Sequence, residues 1–287
     1  MSGRRSVAIF GILAMLAAIA GLWIGAGRRA VTELVFLSVG QGDCVLIRHA
    51  GVTVMVDTGP RAGSFDAGKR IVLPALRRRG IRRIDLLILT HPDADHIGGL
   101  ASIKGALDIQ QLLVPAGFRN HDGLKFALQE ADVRDSEVTY VEQATDIRIG
   151  NTSLHLDSRK WNLDDADNDG SMFVHLDING ATATFSGDAG GIAEMVIAGR
   201  YDWKAQLMMA GHHGSQTSTT QAWIDEVDPE TAIISCGRNN SYGHPHPSVI
   251  ERLEQNNIAI LRTDRHGELR FFVEGGKFAL QNAAIMR

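Results

Sequence analysis

A buried strand that leads directly into a cluster of metal-binding side chains constrains this chain more than any other feature of its sequence. The run Ile84–Thr90 (IDLLILT) is almost continuously apolar, which is typical of a strand covered on both faces. His91, Asp93, Asp95 and His96 follow within six residues. Placing four such side chains beside an apolar strand without a cation would be costly in desolvation and repulsion. The sequence therefore predicts a metal site, and mixed nitrogen and oxygen ligands suit zinc, manganese or iron.

Three later positions can contribute to the same site. Asp188 follows an apolar strand, where its carboxylate can bridge two cations or cap a helix. His212 and His213 also follow a strand, and because neighbouring side chains point to opposite sides we expect only one of them to bind metal. His244 lies after a further strand end and is a candidate general acid or phosphate contact, or else a residue that caps a turn.

Asp57 ends another β-rich run. Its carboxylate can orient a metal-bound histidine from behind, or it can form an Asx-turn. The two cysteines, Cys44 and Cys236, lie in apolar, strand-like contexts and are interpreted as buried thiols.

Residues 31–287 are expected to form one domain, because no linker, repeat or low-complexity stretch interrupts them. Strands come first and then alternate with helices, which indicates α/β layers around a sheet core. The predicted strands are Glu33–Val39, Asp43–His49, Val52–Asp57, Ile84–Thr90, Met172–Ile178, Ala181–Ser186, Ala205–Ala210 and Thr231–Ser235.

Residues 1–30 form a separate segment. Val7–Gly27 carries no charge and is flanked by an arginine pair on each side, and as a helix it would span the hydrocarbon core of a bilayer. We expect a hydrophobic N-terminal helix that anchors the chain in a membrane, with the body outside the cytoplasm. The alternatives are a signal peptide cleaved to give a secreted or periplasmic protein, and a buried core helix.

The formal net charge is −4, and because the first thirty residues carry four arginines and no acid, the rest of the chain carries −8. A body this acidic does not bind nucleic acid through bulk electrostatics. One segment, from Lys69 to Arg83, does concentrate seven basic residues. It is either a phosphate-backbone patch for DNA or a solvated helix face.

The motif THPDADHIGG, preceded by VDTG and followed by SGDA and GHHGS, resembles the metallo-β-lactamase superfamily. More narrowly, FLSVGQGDCVLI and ISCGRNNSYGHP resemble the hydrolase domain of DNA-uptake competence proteins of the ComEC type. The resemblance implies a four-layer αββα sandwich with two divalent ions, zinc or manganese, at one edge between the sheets. It also implies that a metal-activated water attacks a phosphodiester or another ester-like bond.

Carried over by motif, His91 and Asp93 would hold one ion and Asp95 and His96 the other. Asp188 would bridge the two ions, and one of His212 and His213 would complete the second site.

Two departures from the superfamily pattern are visible. Asp93 stands where the superfamily usually has a histidine, and an oxygen ligand there makes manganese plausible beside zinc. The superfamily's lone histidine before the bridging aspartate is replaced by the stretch 168–174, in which Asn168 and Ser171 are candidate phosphate contacts, as is Ser215 farther on. His175 lies nearby but is expected to pack in its strand.

The leading hypothesis is a two-metal phosphodiesterase or nuclease in which Asp95 holds the attacking water as well as binding metal, and His244 protonates the leaving oxygen. The substrate is then a phosphodiester and can include DNA. An envelope hydrolase of small esters or phosphodiesters without DNA activity is the second hypothesis, and a non-catalytic metal-binding protein is the third. No obligate protein partner is inferred.

Overall fold

A computed structural model of the protein describes residues 31–159 and 167–281. The predicted N-terminal helix therefore lies outside the described residues. Within those residues, no helix is both long and apolar enough to cross a membrane.

Short strands make up most of the regular structure. They are β1 Glu33–Phe36, β2 Val45–His49, β3 Val52–Val56, β4 Arg61–Ala62, β5 Phe65–Asp66, β6 Arg83–Ile84, β7 Leu86–Ile88, β8 Asp108–Ile109, β9 Leu112–Pro115, β10 Val138–Val141, β11 Thr145–Ile149, β12 Thr152–Ser158, β13 Met172–Ile178, β14 Ala181–Phe185, β15 Leu207–Met209, β16 Thr231–Ile234, β17 Ala259–Arg262, β18 Leu269–Glu274 and β19 Lys277–Leu280.

The helices are also short. The α-helices are α1 Leu73–Arg78, α2 Ala94–Ile97, α3 Leu100–Lys104, α4 Asp122–Glu130, α5 Gly191–Ile197, α6 Gln221–Val227, α7 Pro247–Gln255 and α8 Thr263–His266. A π-helical turn over Gly68–Val72 precedes α1, and 3₁₀ turns span Ala116–Phe118, Asp135–Glu137, Asn168–Gly170 and Gly211–Gly214.

Two mixed sheets carry the fold. The eight-stranded sheet has the order β10-β9-β7-β3-β2-β1-β18-β19, and the seven-stranded sheet has the order β11-β12-β13-β14-β15-β16-β17. In the first sheet β3, β7, β9 and β10 run parallel, and in the second β14 to β17 run parallel; the remaining neighbours are antiparallel. β4 pairs with β5, and β6 with β8, in two small separate sheets.

Burial explains how the sheets stack. One apolar cluster joins inward-facing side chains of both sheets, for example Phe36 and Val54 of the first sheet with Val174 and Phe185 of the second. A second cluster packs α1, α3 and α4 on the outer face of the first sheet, and a third packs α5, α6 and α7 on the outer face of the second. The predicted four-layer αββα sandwich is confirmed. Alternation of side chains across each strand gives every sheet an inner face for its partner and an outer face for helices.

The candidate site lies where parallel strands end. Asp57 follows β3 and His91 comes shortly after β7, while Asp188 and His212 come shortly after β14 and β15. Parallel strands bring their carboxyl ends to the same edge of a sheet, and loops at that edge are the usual location of ligand sites in such folds. Both sheets therefore direct polar loops to one edge of the sandwich.

Candidate metal centre

The loop after β7 delivers the first group of predicted ligands. His91 and His96 are buried, with 1% and 0% of their surface exposed. Asp93 has extended backbone and α2 begins at Ala94, so Asp95 and His96 lie in the first turn of a helix. This change from strand to helix within six residues turns both the histidines and the carboxylates toward the same edge.

Asp188 lies at the centre of the site, in contact with imidazoles from two separate loops. Its Oδ1 is 3.1 Å from His96 Nε2. Its Oδ2 is 3.5 Å from His212 Nε2, 3.7 Å from His213 Nε2 and 3.8 Å from His91 Nε2. Helix α5 begins only at Gly191, after the cap residue Gly190, so Asp188 does not cap it.

Four buried residues form the tightest group of potential ligands: Asp43, His96, Asp188 and His213. One ligand atom from each lies within 4.8 Å of the others. Asp43 is not among the residues predicted from the sequence; it lies in the loop 40–44 before β2. Antiparallel pairing of β2 with β3 places Val45 opposite Val56 and so brings Asp43 beside Asp57 and the site. The available signal was the alternation of Gly40 and Gly42 with the polar residues Gln41 and Asp43, just before a buried strand.

Unpaired polar atoms indicate that these residues suit a cation. Among the residues that the structure describes, His91 Nε2 is buried without a hydrogen-bond partner, and Asp43 Oδ1, His96 Nε2 and Asp188 Oδ1 are buried in ion-pair contacts that lack good hydrogen-bond geometry. Buried polar groups normally have such partners, and their absence calls for an explanation such as an ion. Imidazole nitrogens and carboxylate oxygens converging on one space are ligands for Zn²⁺ or Mn²⁺.

His96 is held from behind by Asp57. Asp57 Oδ2 lies 2.8 Å from His96 Nδ1, and the same carboxylate accepts hydrogen bonds from the backbone N–H and the hydroxyl of Thr90, both at 2.8 Å. This arrangement keeps the proton on Nδ1 and leaves Nε2 facing Asp188, which is how carboxylates commonly orient metal-binding histidines.

Both histidines of the Gly211–Gly214 turn face the site, so the expectation that they point to opposite sides is wrong. His212 and His213 both adopt left-handed backbone conformations, with φ of 48° and 56°. The alternation rule applies to extended backbone and fails here. His213 is fixed further by Ser235, whose carbonyl oxygen is 3.0 Å from its Nδ1, and its Nε2 lies 3.2 Å from Asp95 Oδ2.

The clustered histidines and Asp188 shift one another's pKa values. Burial, followed by the nearby His96, lowers the pKa of His91 to about 3, so His91 is neutral and its nitrogen lone pair is available. For His96 and His213, burial alone would lower the pKa, but Asp188 and a second carboxylate beside each raise it well above the usual value. For Asp188, burial would raise the pKa, but His96 and His213 hold it well below its usual range. Asp188 is thus negatively charged, and the histidines around it stabilise that charge.

Two further predicted residues lie at the solvent side of the site. The Asp93 side chain is 47% exposed and its Oδ2 is 3.7 Å from His91 Nε2. His244 lies beside His212, with ring centroids 5.6 Å apart, and its Nδ1 is 3.5 Å from Gln41 Nε2. His246, rather than His244, accepts the hydrogen bond that caps α7.

The three candidate phosphate contacts differ in accessibility. Ser171 is fully buried and packs near Gly187, so it lies beneath the site instead of facing solvent. Ser215 is mostly buried, and its hydroxyl is 2.9 Å from that of Thr217. Asn168 is half-buried in its 3₁₀ turn. His175 packs inside its strand, as predicted.

The basic segment 69–83 extends away from the metal centre. Arg79 forms ion pairs with Glu33 and Glu268, and Arg83 is 2.7 Å from Asp85. Asp85 immediately precedes β7, whereas His91 follows it, so Arg83 lies at the opposite edge of the sheet. Arg79 and Arg83 are therefore engaged in ion pairs away from the metal centre.

Comparisons with known proteins agree with the geometry. Residues 37–238 match the family model described as the metallo-beta-lactamase superfamily. The chain is 30% identical over 253 residues to ComE operon protein 3 of Bacillus subtilis, an alignment that covers 83% of this chain and 33% of that protein. It is 31% identical over 250 residues to competence protein ComA of Neisseria gonorrhoeae, covering 86% of this chain and 33% of that protein. The chain thus spans about a third of the length of these relatives.

A solved structure supports the fold. CmlA, a diiron β-hydroxylase from Streptomyces venezuelae, superposes with a TM-score of 0.55 at 15% identity, over 84% of this chain and 54% of that one.

Proposed function

Because this chain belongs to the metallo-β-lactamase superfamily of metal-dependent hydrolases, we propose that it hydrolyses phosphodiesters at the Asp188 centre. The observation that carries the proposal is the position of Asp188. One of its oxygens lies near His96, and the other lies near His91, His212 and His213. A carboxylate with ligand groups on both sides is suited to bridge two divalent ions.

The residues divide into two ligand sets around that carboxylate. His91 and Asp93 would hold one ion, and Asp95 and His96 the other; His213 would join the second set because its Nε2 is 3.2 Å from Asp95 Oδ2, and His212 and Asp43 are close enough to take part. The ions, Zn²⁺ or Mn²⁺, would supply Lewis acidity that activates water and stabilises charge on phosphate oxygens.

Asp95 and His244 would move the protons. The Asp95 side chain is 32% exposed, so it can contact both His213 and a water molecule in the cleft. His244 lies next to His212 on a different loop, and its ring N–H would donate to the leaving oxygen of the diester. Attack from the Asp95 side and departure on the His244 side would separate nucleophile and leaving group.

DNA is the proposed natural substrate. This assignment rests on similarity, along more than four-fifths of the chain, to a protein named as a competence protein, ComA of Neisseria gonorrhoeae, and to ComE operon protein 3 of Bacillus subtilis. Because Arg79 and Arg83 of the basic segment 69–83 are held in ion pairs away from the centre, other contacts to the strand would come from residues around the cleft.

Residues 1–30 would hold this domain at a membrane, with the domain outside the cytoplasm. The uncharged run of this segment, flanked by an arginine pair on both sides, supports the membrane anchor. Protease accessibility of the domain in spheroplasts, compared with lysed cells, tests the orientation.

The decisive assay uses the full chain in detergent, loaded with Zn²⁺ or Mn²⁺, on single-stranded DNA, double-stranded DNA and bis-p-nitrophenyl phosphate. Asp95→Ala should abolish hydrolysis, and Asp225→Ala, which removes an exposed carboxylate on α6, should not. Hydrolysis of the small diester alone would favour a small-ester hydrolase over a nuclease. No hydrolysis by metal-loaded protein would overturn the proposal in favour of a non-catalytic metal-binding role.

A further inference from the structure

A cavity of about 500 Å³ opens directly beside the metal centre. Asp93 belongs to both, since it lines the cavity and lies 3.7 Å from the buried, unpaired Nε2 of His91. The volume is within the range of small-molecule binding sites. Through Asp93 and His91, a substrate with its phosphate at Asp188 can place an adjoining group next to this space.

The cavity walls are mainly apolar. Pro92, Ile97, Ala101 and Ala127 line it together with Phe126 of α4. Phe126 is 62% exposed, whereas Leu124 and Leu128 of the same helix are buried. Since the core is already filled by the two leucines, the ring of Phe126 is available as a flat apolar surface within the cavity.

A cation lies at the cavity rim. Arg61 pairs with Glu130 at 2.6 Å, and both side chains are substantially exposed, at 42% and 37%. Exposed ion pairs contribute little free energy, so a substrate phosphate can displace Glu130 from Arg61 at small cost.

We propose that this cavity binds the nucleobase next to the scissile phosphodiester, with Phe126 stacking on the base and Arg61 contacting a neighbouring phosphate. The proposal rests on the proposed function and specifies its substrate class as nucleotidyl diesters. Every nucleobase presents a π-face, so stacking on Phe126 would be tolerant of sequence. An apolar wall, an exposed aromatic ring and an arginine beside a phosphate-cleaving centre match a nucleotide better than a purely aliphatic ester.

The test compares two chromogenic diesters that differ only in the base. One is the p-nitrophenyl ester of thymidine 5′-monophosphate, and the other is the same ester of abasic 2-deoxyribose 5-phosphate. The full-length metal-loaded protein should hydrolyse the thymidine ester with about tenfold lower KM, as expected for one stacked base.

Phe126→Ala should raise KM for the thymidine ester alone and leave kcat within about twofold. Phe126→Trp should restore the preference, and Met195→Ala, which removes a side chain that is 70% exposed, is the matched control.

Binding provides a readout that does not depend on hydrolysis. Isothermal titration with thymidine 5′-monophosphate and with 2-deoxyribose 5-phosphate should show a base-dependent affinity that Phe126→Ala removes. If neither diester is hydrolysed but binding depends on the base and on Phe126, the proposed function fails and the cavity assignment stands. If the diesters are hydrolysed equally well, the cavity assignment is overturned and the proposed function stands. If Phe126→Ala weakens binding of both ligands equally, the cavity assignment is overturned, and hydrolysis of the diesters decides the proposed function separately.

Discussion

Asp57 Oδ2 lies 2.8 Å from Nδ1 of His96, and both side chains are fully buried behind the candidate metal centre. Asp57 has a positive φ of 60°, a conformation that asparagine tolerates well. Asp57→Asn should therefore preserve the backbone while replacing the carboxylate that keeps the proton on His96 Nδ1.

We expect Asp57→Asn to lower metal affinity by about 10- to 100-fold, because the amide favours the tautomer in which Nε2 carries the proton. Competition with a fluorescent Zn²⁺ chelator measures the change. Asp85→Asn is the control, since Asp85 also accepts a backbone hydrogen bond, from Thr53, but at the opposite edge of the sheet. Equal affinity in Asp57→Asn and wild type would contradict the orienting role.

Asp188→Ala should abolish binding of two metal ions. Its carboxylate is the group that four histidines share, and no other carboxylate among the described residues contacts all four. Metal analysis after dialysis should give at most one ion per chain, compared with two for the wild type and for Asp225→Ala. Retention of two ions per chain by Asp188→Ala would rule out the bridge.

How much of this site could be predicted depends on the kind of contact. The 90–99 motif and the strand Met172–Ile178 follow from local pattern, and the structure has the latter with the same bounds. Asp43 could not be placed in this way, because its proximity to Asp57 arises from the pairing of β2 with β3. The joint orientation of His212 and His213 depends on two consecutive left-handed residues, which rules based on alternation do not anticipate. Local chemistry was therefore predictable, whereas register and unusual backbone were not.

His175 makes stability depend on pH away from the metal centre. Burial lowers its pKa to about 4 from the usual 6.5, and its Nδ1 is 3.0 Å from the hydroxyl of Thr184. Between pH 4 and pH 6.5 the unfolded chain binds more protons than the folded one. The contribution of neutral His175 to the free energy of unfolding is therefore complete above pH 6.5 and is lost as the pH falls toward 4.

Lowering the pH from 7.5 to 5 should therefore cost the wild type about 2 kcal/mol of unfolding free energy through His175. His175→Gln keeps a hydrogen-bonding group but does not titrate. In urea titrations of the full chain, its unfolding free energy should therefore fall by about 2 kcal/mol less than that of the wild type over the same pH range. Thr184→Val removes the hydroxyl partner and retains the imidazole, so it should behave like wild type in this comparison. Parallel pH profiles for wild type and His175→Gln would show that His175 is not the group responsible.

Gly42 approaches the metal-binding loop so closely that a side chain cannot fit. A Cβ there would lie 2.3 Å from the Asp95 carbonyl oxygen and 2.8 Å from Pro60 Cδ, and φ is 142°. Gly40 also has a positive φ, of 94°, but a Cβ there meets nothing within 4 Å among the described residues. Gly40→Ala therefore carries the backbone strain without the collision and is a matched control.

Gly42→Ala should destabilise the fold by about 2 kcal/mol more than Gly40→Ala, as overpacking does elsewhere. It should also weaken metal binding, because the collision displaces Asp95 and His96 together. Urea unfolding and chelator competition on both variants separate these effects, and equal losses in the two variants would mean that the loop adapts to the added methyl group.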